Sequence, residues 1–277
     1  KNAGDALTTN GNYNVVIGEE TGTALSTADN NVAIGYNAFY RATTGADDNV
    51  VIGYNAMSGN FTTAAVDDCV IIGSGAAAGT LTSGAEGAIA IGKSALAVLT
   101  TGAANLAIGY NAMLQHLTGA SNIAIGFRTM DGTGTGSTSA GSSNNIFMGV
   151  DAGGGGWVDS ASSYNIGIGN AAMQGAMDIA TNNTAVGMKA LNALTTADGN
   201  VAIGFEAGND ITTGGSNVCI GERAGDVMTT SKYNILIGSD AGGTIAAGQT
   251  TTDGTVAVGL SALGALTTGA ENTAIGY

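Results

Sequence analysis

Apolar residues along this chain recur in triplets, with Val, Ile or Leu favoured at the outer positions and a small residue between them, and each triplet is closed by a glycine. Val32-Ala33-Ile34-Gly35 is representative. The closing glycines are Gly18, Gly35, Gly53, Gly73, Gly92, Gly109, Gly126, Gly149, Gly169, Gly187, Gly204, Gly221, Gly238, Gly259 and Gly276, with successive spacings of 17, 18, 20, 19, 17, 17, 23, 20, 18, 17, 17, 17, 21 and 17 residues. A period this short, with its slack confined to one stretch of each repeat, marks a solenoid in which every repeat adds a coil. Alternation over three residues is the period of a β-strand, whose successive side chains point to opposite faces. The pattern therefore predicts an all-β chain, a parallel β-solenoid or β-roll of about fifteen coils of 17–23 residues.

Both faces of each strand are apolar. Branched residues such as Val32 and Ile34 are assigned to the coil interior, and the residue between them is Ala at Ala33, Ala90, Ala107, Ala124, Ala185, Ala202, Ala257 and Ala274. Strands apolar on both faces belong to sheets covered on both sides. The Ala column thus asks for a second layer, either a second strand of the same coil or a neighbouring chain, and the neighbouring chain is the preferred reading. Three residues past the glycine stands another Ala, as at Ala38, Ala56 and Ala95, which predicts a second short strand, with the glycine supplying the bend between the two. Spacers such as Thr43-Thr44-Gly45 and Leu99-Thr100-Thr101-Gly102 suit solvated edges that end in a turn. Asn precedes most triplets, at Asn14, Asn31, Asn49, Asn105, Asn122, Asn145, Asn165, Asn183, Asn200, Asn217, Asn234 and Asn272. Stacked coil on coil, these amides predict a hydrogen-bonded ladder along the axis.

Composition narrows the role. The 277 residues hold 47 Gly and no Pro, 10% are charged and 44% are hydrophobic, which excludes collagen and simple disorder and implies a packed interior. A net charge of −14 repels phosphate backbones, so nucleic acid is not an expected partner. No stretch approaches the roughly 20 apolar residues of a membrane helix, and no membrane insertion is expected. Residues 1–277, opening at Lys1 rather than Met, read as a single repeat array cut from a longer fibre protein.

Candidate chemistry is sparse. His116 is the only histidine, so neither a His-dependent triad nor a multi-His metal site can be assembled within one chain. The expectation is no enzyme; hydrolysis of polysaccharide by carboxylates such as Asp67 and Asp68 is the rival from outside the class. Cys69 and Cys219 fall in the fourth and twelfth coils, roughly 38 Å apart at about 4.8 Å per coil, too far for a disulfide. Cys69 takes the place of a ladder Asn and Cys219 that of a packed Ala. Longer repeats carry extra residues at 131–143, 153–163 and 242–254. Trp157 is expected to cap its own loop, and Tyr36, Tyr54, Tyr110, Phe127, Phe205 and Tyr277, which follow the glycine, to pack at the coil corner in preference to lining a carbohydrate groove.

Six residues before the glycine, Asp29, Asp47, Asp67 and Glu86 form an acidic column, with Asp48 and Asp68 beside its middle pair. Like charges stacked at about 4.8 Å repel unless water or a cation relieves them. Asp47, Asp48, Asp67 and Asp68 are therefore candidate Ca²⁺ ligands, weighed against a solvated acidic edge. No other cofactor is expected. Glu206, Arg223 and Asp240 make a mixed-sign column suited to a surface ion ladder.

Asn31-Val32-Ala33-Ile34-Gly35-Tyr36-Asn37-Ala38 resembles the head repeats of YadA-type trimeric autotransporter adhesins and, with the Thr-Thr-Gly spacer, the repeats of phage tail-fibre and other virion fibre proteins. The resemblance covers all fifteen copies of the motif and implies a left-handed parallel β-roll, intertwined or packed as a homotrimer. It implies a structural and adhesive fibre at a virion surface or an extracellular or cell surface, meeting a host glycan or protein. The full spacer favours the phage form; a bacterial adhesin head and a self-assembling extracellular filament are the alternatives.

Overall fold

A computed structural model describes residues 2–5, 11–41, 45–60, 66–134, 141–243 and 252–277. The Thr43-Thr44 spacer and the centres of two expected insertions, 135–140 and 244–251, lie outside the described residues. The chain is all-β, a parallel β-solenoid of about 14 turns, with a short 3-10 turn at Ser83–Ala85. It forms two compact units that divide at the expected insertion around residues 135–143.

Unit 1 contains β1 to β7, at Val15–Ile17, Val32–Ile34, Val50–Ile52, Val70–Ile72, Ile89–Ile91, Leu106–Ile108 and Ile123–Ile125. Unit 2 contains β8 to β15, at Ile146–Met148, Ile166–Ile168, Thr184–Val186, Val201–Ile203, Val218–Ile220, Ile235–Ile237, Val256–Val258 and Thr273–Ile275. Within each unit the strands pair in sequence order, parallel and without register slip, so that Val32 meets Val50, Ala33 meets Val51 and Ile34 meets Ile52. In-register parallel pairing makes every repeat position a column along the axis.

The strand faces are opposite to the assignment made from the sequence. The middle residue of each strand points into the coil: Ala33, Ala90, Ala107, Ala185 and Ala202 are fully buried, while the flanking Val and Ile residues are half-buried or exposed on the outside. The physical reason is the narrow coil. Leu, Met and Phe from the far wall, among them Leu25, Leu96, Leu99, Met113, Leu191, Leu194 and Phe39, are fully buried and fill the cross-section, which leaves room for little beyond Ala on the strand side. The expected second strand is also absent among the described residues. Ala38, Ala56 and Ala95 are buried, but they lie in turns, bracketed by left-handed residues such as Asn37 (φ 57°) and Phe39 (φ 52°) that an extended strand cannot contain.

Phe147, the bulkiest residue in the Ala column, is matched by losses next to it. Phe147 on β8 lies over Gly167 of β9, where a Cβ would run into its ring, and beside Gly153, whose Cβ would stand 2.8 Å from the same ring. Trp157 completes this cluster. It is fully buried, edge-on to Phe147 with ring centroids 6.0 Å apart, and its Nε1–H donates to the Gly153 carbonyl at 2.9 Å. The indole is core, and no sugar can reach it.

Candidate functional site: stacked columns and a broken rung

The bend glycines form a backbone column. Gly35 has φ 135° and Gly53 φ 142°, and a Cβ on either would stand 2.5 Å from the carbonyl oxygen of the next bend glycine. Two requirements coincide at this position, a backbone conformation side chains avoid and a neighbouring carbonyl in contact.

Inside, the carboxamides form runs. In unit 2 the Asn165 Oδ1 accepts from both the backbone N–H and the Nδ2 of Asn183 at 3.1 Å, and the relation repeats from Asn183 to Asn200, Asn200 to Asn217 and Asn217 to Asn234. In unit 1 it links Asn14, Asn31 and Asn49 and, separately, Asn105 and Asn122. The remaining Nδ2 hydrogen usually goes to a carbonyl across the coil, as from Asn200 to Gly214 at 2.9 Å. Apart from the half-buried Asn14 these amides are buried, and all are spent on the chain itself. Asn145 and Asn165 share the same bond, while Asn272 is half-buried and donates within its own turn to Gly269. Cys69 takes over one rung: its backbone N–H donates to Asn49 Oδ1 at 3.0 Å, and its thiol faces the carbonyls of Asp67 and Ala85. Burial pushes the Cys69 thiol up to about 11 and that of Cys219 to about 12, so neither is a thiolate nucleophile at neutral pH. Spacer threonines add a further column, since the hydroxyl of Thr195 donates to the Thr212 carbonyl and that of Thr212 to the Thr229 carbonyl.

His116 occupies a core position filled by Leu99 and Leu194 in other coils. It is fully buried, with Nε2 2.9 Å from the Gly119 carbonyl and Nδ1 3.0 Å from Thr133 Oγ1. Burial lowers its pKa, which keeps the ring neutral, a donor through Nε2 and an acceptor at Nδ1. The histidine is a polar plug in the core.

In the acidic column the carboxylates accept backbone N–H groups. Asp47 Oδ1 accepts the Asp29 backbone N–H at 2.7 Å, Asp67 Oδ1 accepts that of Asp47 at 2.8 Å, and Asp29 Oδ1 accepts that of Asn12. Each carboxylate caps an amide of the preceding coil that the strand ladder does not reach. Asp48 and Asp68 are left-handed turn residues, at φ 58° and 60°. Among the described residues no group of three or more His, Cys, Asp or Glu, Asp47, Asp48, Asp67 and Asp68 included, is arranged to hold a metal. The same device recurs in unit 2, where Asp198 accepts from Thr181 N–H and Asp253 from Lys232 N–H. These Asp residues drew attention through charge, whereas Asp47 and Asp67 serve the coil as backbone caps and Asp48 and Asp68 as turn residues.

On the outside, Tyr36 stacks on Tyr54 with centroids 5.4 Å apart and 14° between planes, and Tyr110 on Phe127 at 5.3 Å and 11°. Stacked rings cover one another's faces and offer mostly edges to solvent, a poor platform for sugar C–H groups. In the mixed-sign column Arg223 pairs with Asp240 at 3.1 Å and Lys189 with Glu206 at 3.2 Å. The Arg223 and Asp240 pair lines a notch of about 470 Å³ with Asp226, Ser261 and the small residues Gly243, Gly264 and Ala265, where desolvation raises the Asp226 pKa. A second notch, of about 210 Å³, opens between Asp198 and Lys232. No helix is long and apolar enough to cross a membrane among the described residues. Comparison with protein-family models, curated proteins and solved structures gives no match to this chain.

Proposed function

We propose that this chain is the shaft or head of a non-enzymatic fibre, several copies of which pack along their outward sheet faces. The observation that carries the reading is the outer surface of the strands. The first and third residues of nearly every strand are Val, Ile or Leu and face outward. A third apolar column, including Tyr36, Tyr54, Tyr110, Phe127, Val150, Met188, Phe205 and Leu260, continues the face past the bend, with these side chains 38–57% exposed. At about 4.8 Å between strands and about 3.3 Å per residue, the face measures roughly 34 Å by 13 Å in unit 1 alone. That is as large as the largest apolar patch a typical monomer leaves uncovered, and the eight strands of unit 2 present a face of the same width and slightly greater length.

The self-association first argued from the Ala column thus rests on the opposite face. Cyclic symmetry is the simplest way to cover such a face on every copy, and the motif's resemblance to trimeric repeat fibres favours three. The same resemblance, with the interior columns spent on stacking, supports a virion fibre reaching toward a host surface. Native mass spectrometry tests the assembly: a trimer is expected, Ile203→Glu on the outer face should yield monomers, and a monomeric parent would overturn the reading.

A further inference from the structure

We infer that the notch between Asp198 and Lys232 binds a carboxylate-bearing sugar, such as a uronic or sialic acid. The inference deepens the surface-attachment reading by naming a ligand class. It starts from the capping column six residues before the bend glycine. There, a side-chain oxygen of one coil accepts the backbone N–H of the coil before: Asp29 from Asn12, Asp47 from Asp29, Asp67 from Asp47, Ser143 from Ala120, Asp198 from Thr181 and Asp253 from Lys232. The next two residues of the column after Asp198 are Gly215 and Lys232, neither of which carries an acceptor. Among the described residues, the N–H groups of Asp198 and Gly215 consequently have no acceptor.

The acceptor is also missing for Asp67, Glu86, Ala103 and Asp253. At Asp198 and Gly215 the gap coincides with a notch and a cation. The absent Gly215 side chain opens a space of about 210 Å³, the volume of roughly seven waters. A Cβ built on Gly215 lies 2.9 Å from the Asp198 carbonyl oxygen and 3.7 Å from its nitrogen, so a side chain there would stand over the Asp198 backbone. The Asp198 carboxylate is turned away, toward Thr181, whose N–H and Oγ1 it accepts at 2.6 and 3.0 Å. Among the described residues the Lys232 ammonium makes no ion pair.

Two free N–H groups in consecutive coils and an ammonium are the donor set for one carboxylate, which would fill the vacated rung. The rest of the wall selects what carries it. Thr196, Thr213 and Ser216 bring hydroxyls. Tyr233 stands at the edge, 66% exposed as a residue, and unlike Tyr36 and Tyr54 its ring has no stacked neighbour among the described residues. A hydroxylated ring with an apolar C–H face suits both.

The test is an amide NMR titration of the full chain with glucuronate and N-acetylneuraminate, with glucose and acetate as controls. At least one acidic sugar should shift the Asp198 and Gly215 amides saturably, with glucose and acetate each roughly tenfold weaker. Lys232→Asp returns an acceptor of the chain's own to the column and should weaken binding at least roughly tenfold. Tyr233→Ala should weaken the sugar and leave acetate unchanged. Absence of shifts at both amides, glucose binding as well as the acids, or acetate binding as well as the sugars would each overturn the proposal. The assay needs no assembly or host surface, so a negative result leaves the fibre reading standing, and a monomeric parent leaves this site standing.

Discussion

Removing a single interior carboxamide tests how the solenoid is held together. Asn200 is fully buried and central to the longer Asn run. Its Nδ2 donates to Asn183 Oδ1 at 3.1 Å and to the Gly214 carbonyl at 2.9 Å, and its Oδ1 accepts both the backbone N–H and the Nδ2 of Asn217 at 3.0 Å. Asn200→Ala leaves Asn183 Oδ1 satisfied by the Asn200 backbone N–H at 2.9 Å. The Gly214 carbonyl, the Asn217 N–H and one Asn217 carboxamide hydrogen lose their partners inside the coil. At about 1–3 kcal/mol for each buried polar group left unsatisfied, and with some relief from entering water, the loss is about 4 kcal/mol. Asn272→Ala, which removes one exposed bond within a turn, should cost no more than about 1 kcal/mol. The reverse change is informative too. Cys69→Asn installs the missing rung, with an oxygen to cap the following coil, and should stabilise by about 1 kcal/mol. Urea unfolding gives the differences, and native-state hydrogen exchange should find the Asn217 amide deprotected in Asn200→Ala. Equal costs for Asn200→Ala and Asn272→Ala would refute the argument that the stacked amides carry the stability.

Other positions give separate tests. Gly204→Ala combines φ 137° with a Cβ 2.5 Å from the Gly221 carbonyl and should cost roughly 3–5 kcal/mol; Gly87→Ala, at φ 67° with nothing within 4 Å, should cost only about 1 kcal/mol, both read from urea midpoints. Ala104 is exposed in the left-handed region at φ 57°, and Ala104→Asn should raise stability by about 0.5–1 kcal/mol by relieving that strain, measured as an increase in Tm. His116 has a lowered pKa in the folded chain, so below about 6.5 the unfolded chain binds the extra proton; stability falls as pH falls through that value, by up to about 1.4 kcal/mol per unit, until the folded pKa is reached. Urea titrations at pH 7.0, 6.0 and 5.0 should show this slope in the parent and lose it in His116→Gln.

Much of this architecture was legible in the residues themselves. The recurrence of Gly35 and its counterparts, with extra length tolerated only in the spacers, is enough to specify a coil, because a stacked bend admits no side chain. The Asn positions were legible for the same reason: one residue type at one phase of every coil can bond only to its own copies. Which strand face turns inward was not legible. A Val-Ala-Ile strand is apolar on both sides, and alternation is unchanged when the two faces are exchanged. The choice was made by coil volume: the far wall contributes Leu, Met and Phe, so the strand contributes Ala, and Phe147 is admitted only where Gly153 and Gly167 make room. The candidate site was hidden for a related reason. Asp47 and Asp67 stood out as charge, and Gly215 as one glycine among 47. Their meaning depends on a hydrogen bond between residues 17 to 20 positions apart. The repeat determined that such residues lie in one column; only the folded coil decided that carboxylates cap the preceding amides, and that at Gly215 the cap is missing.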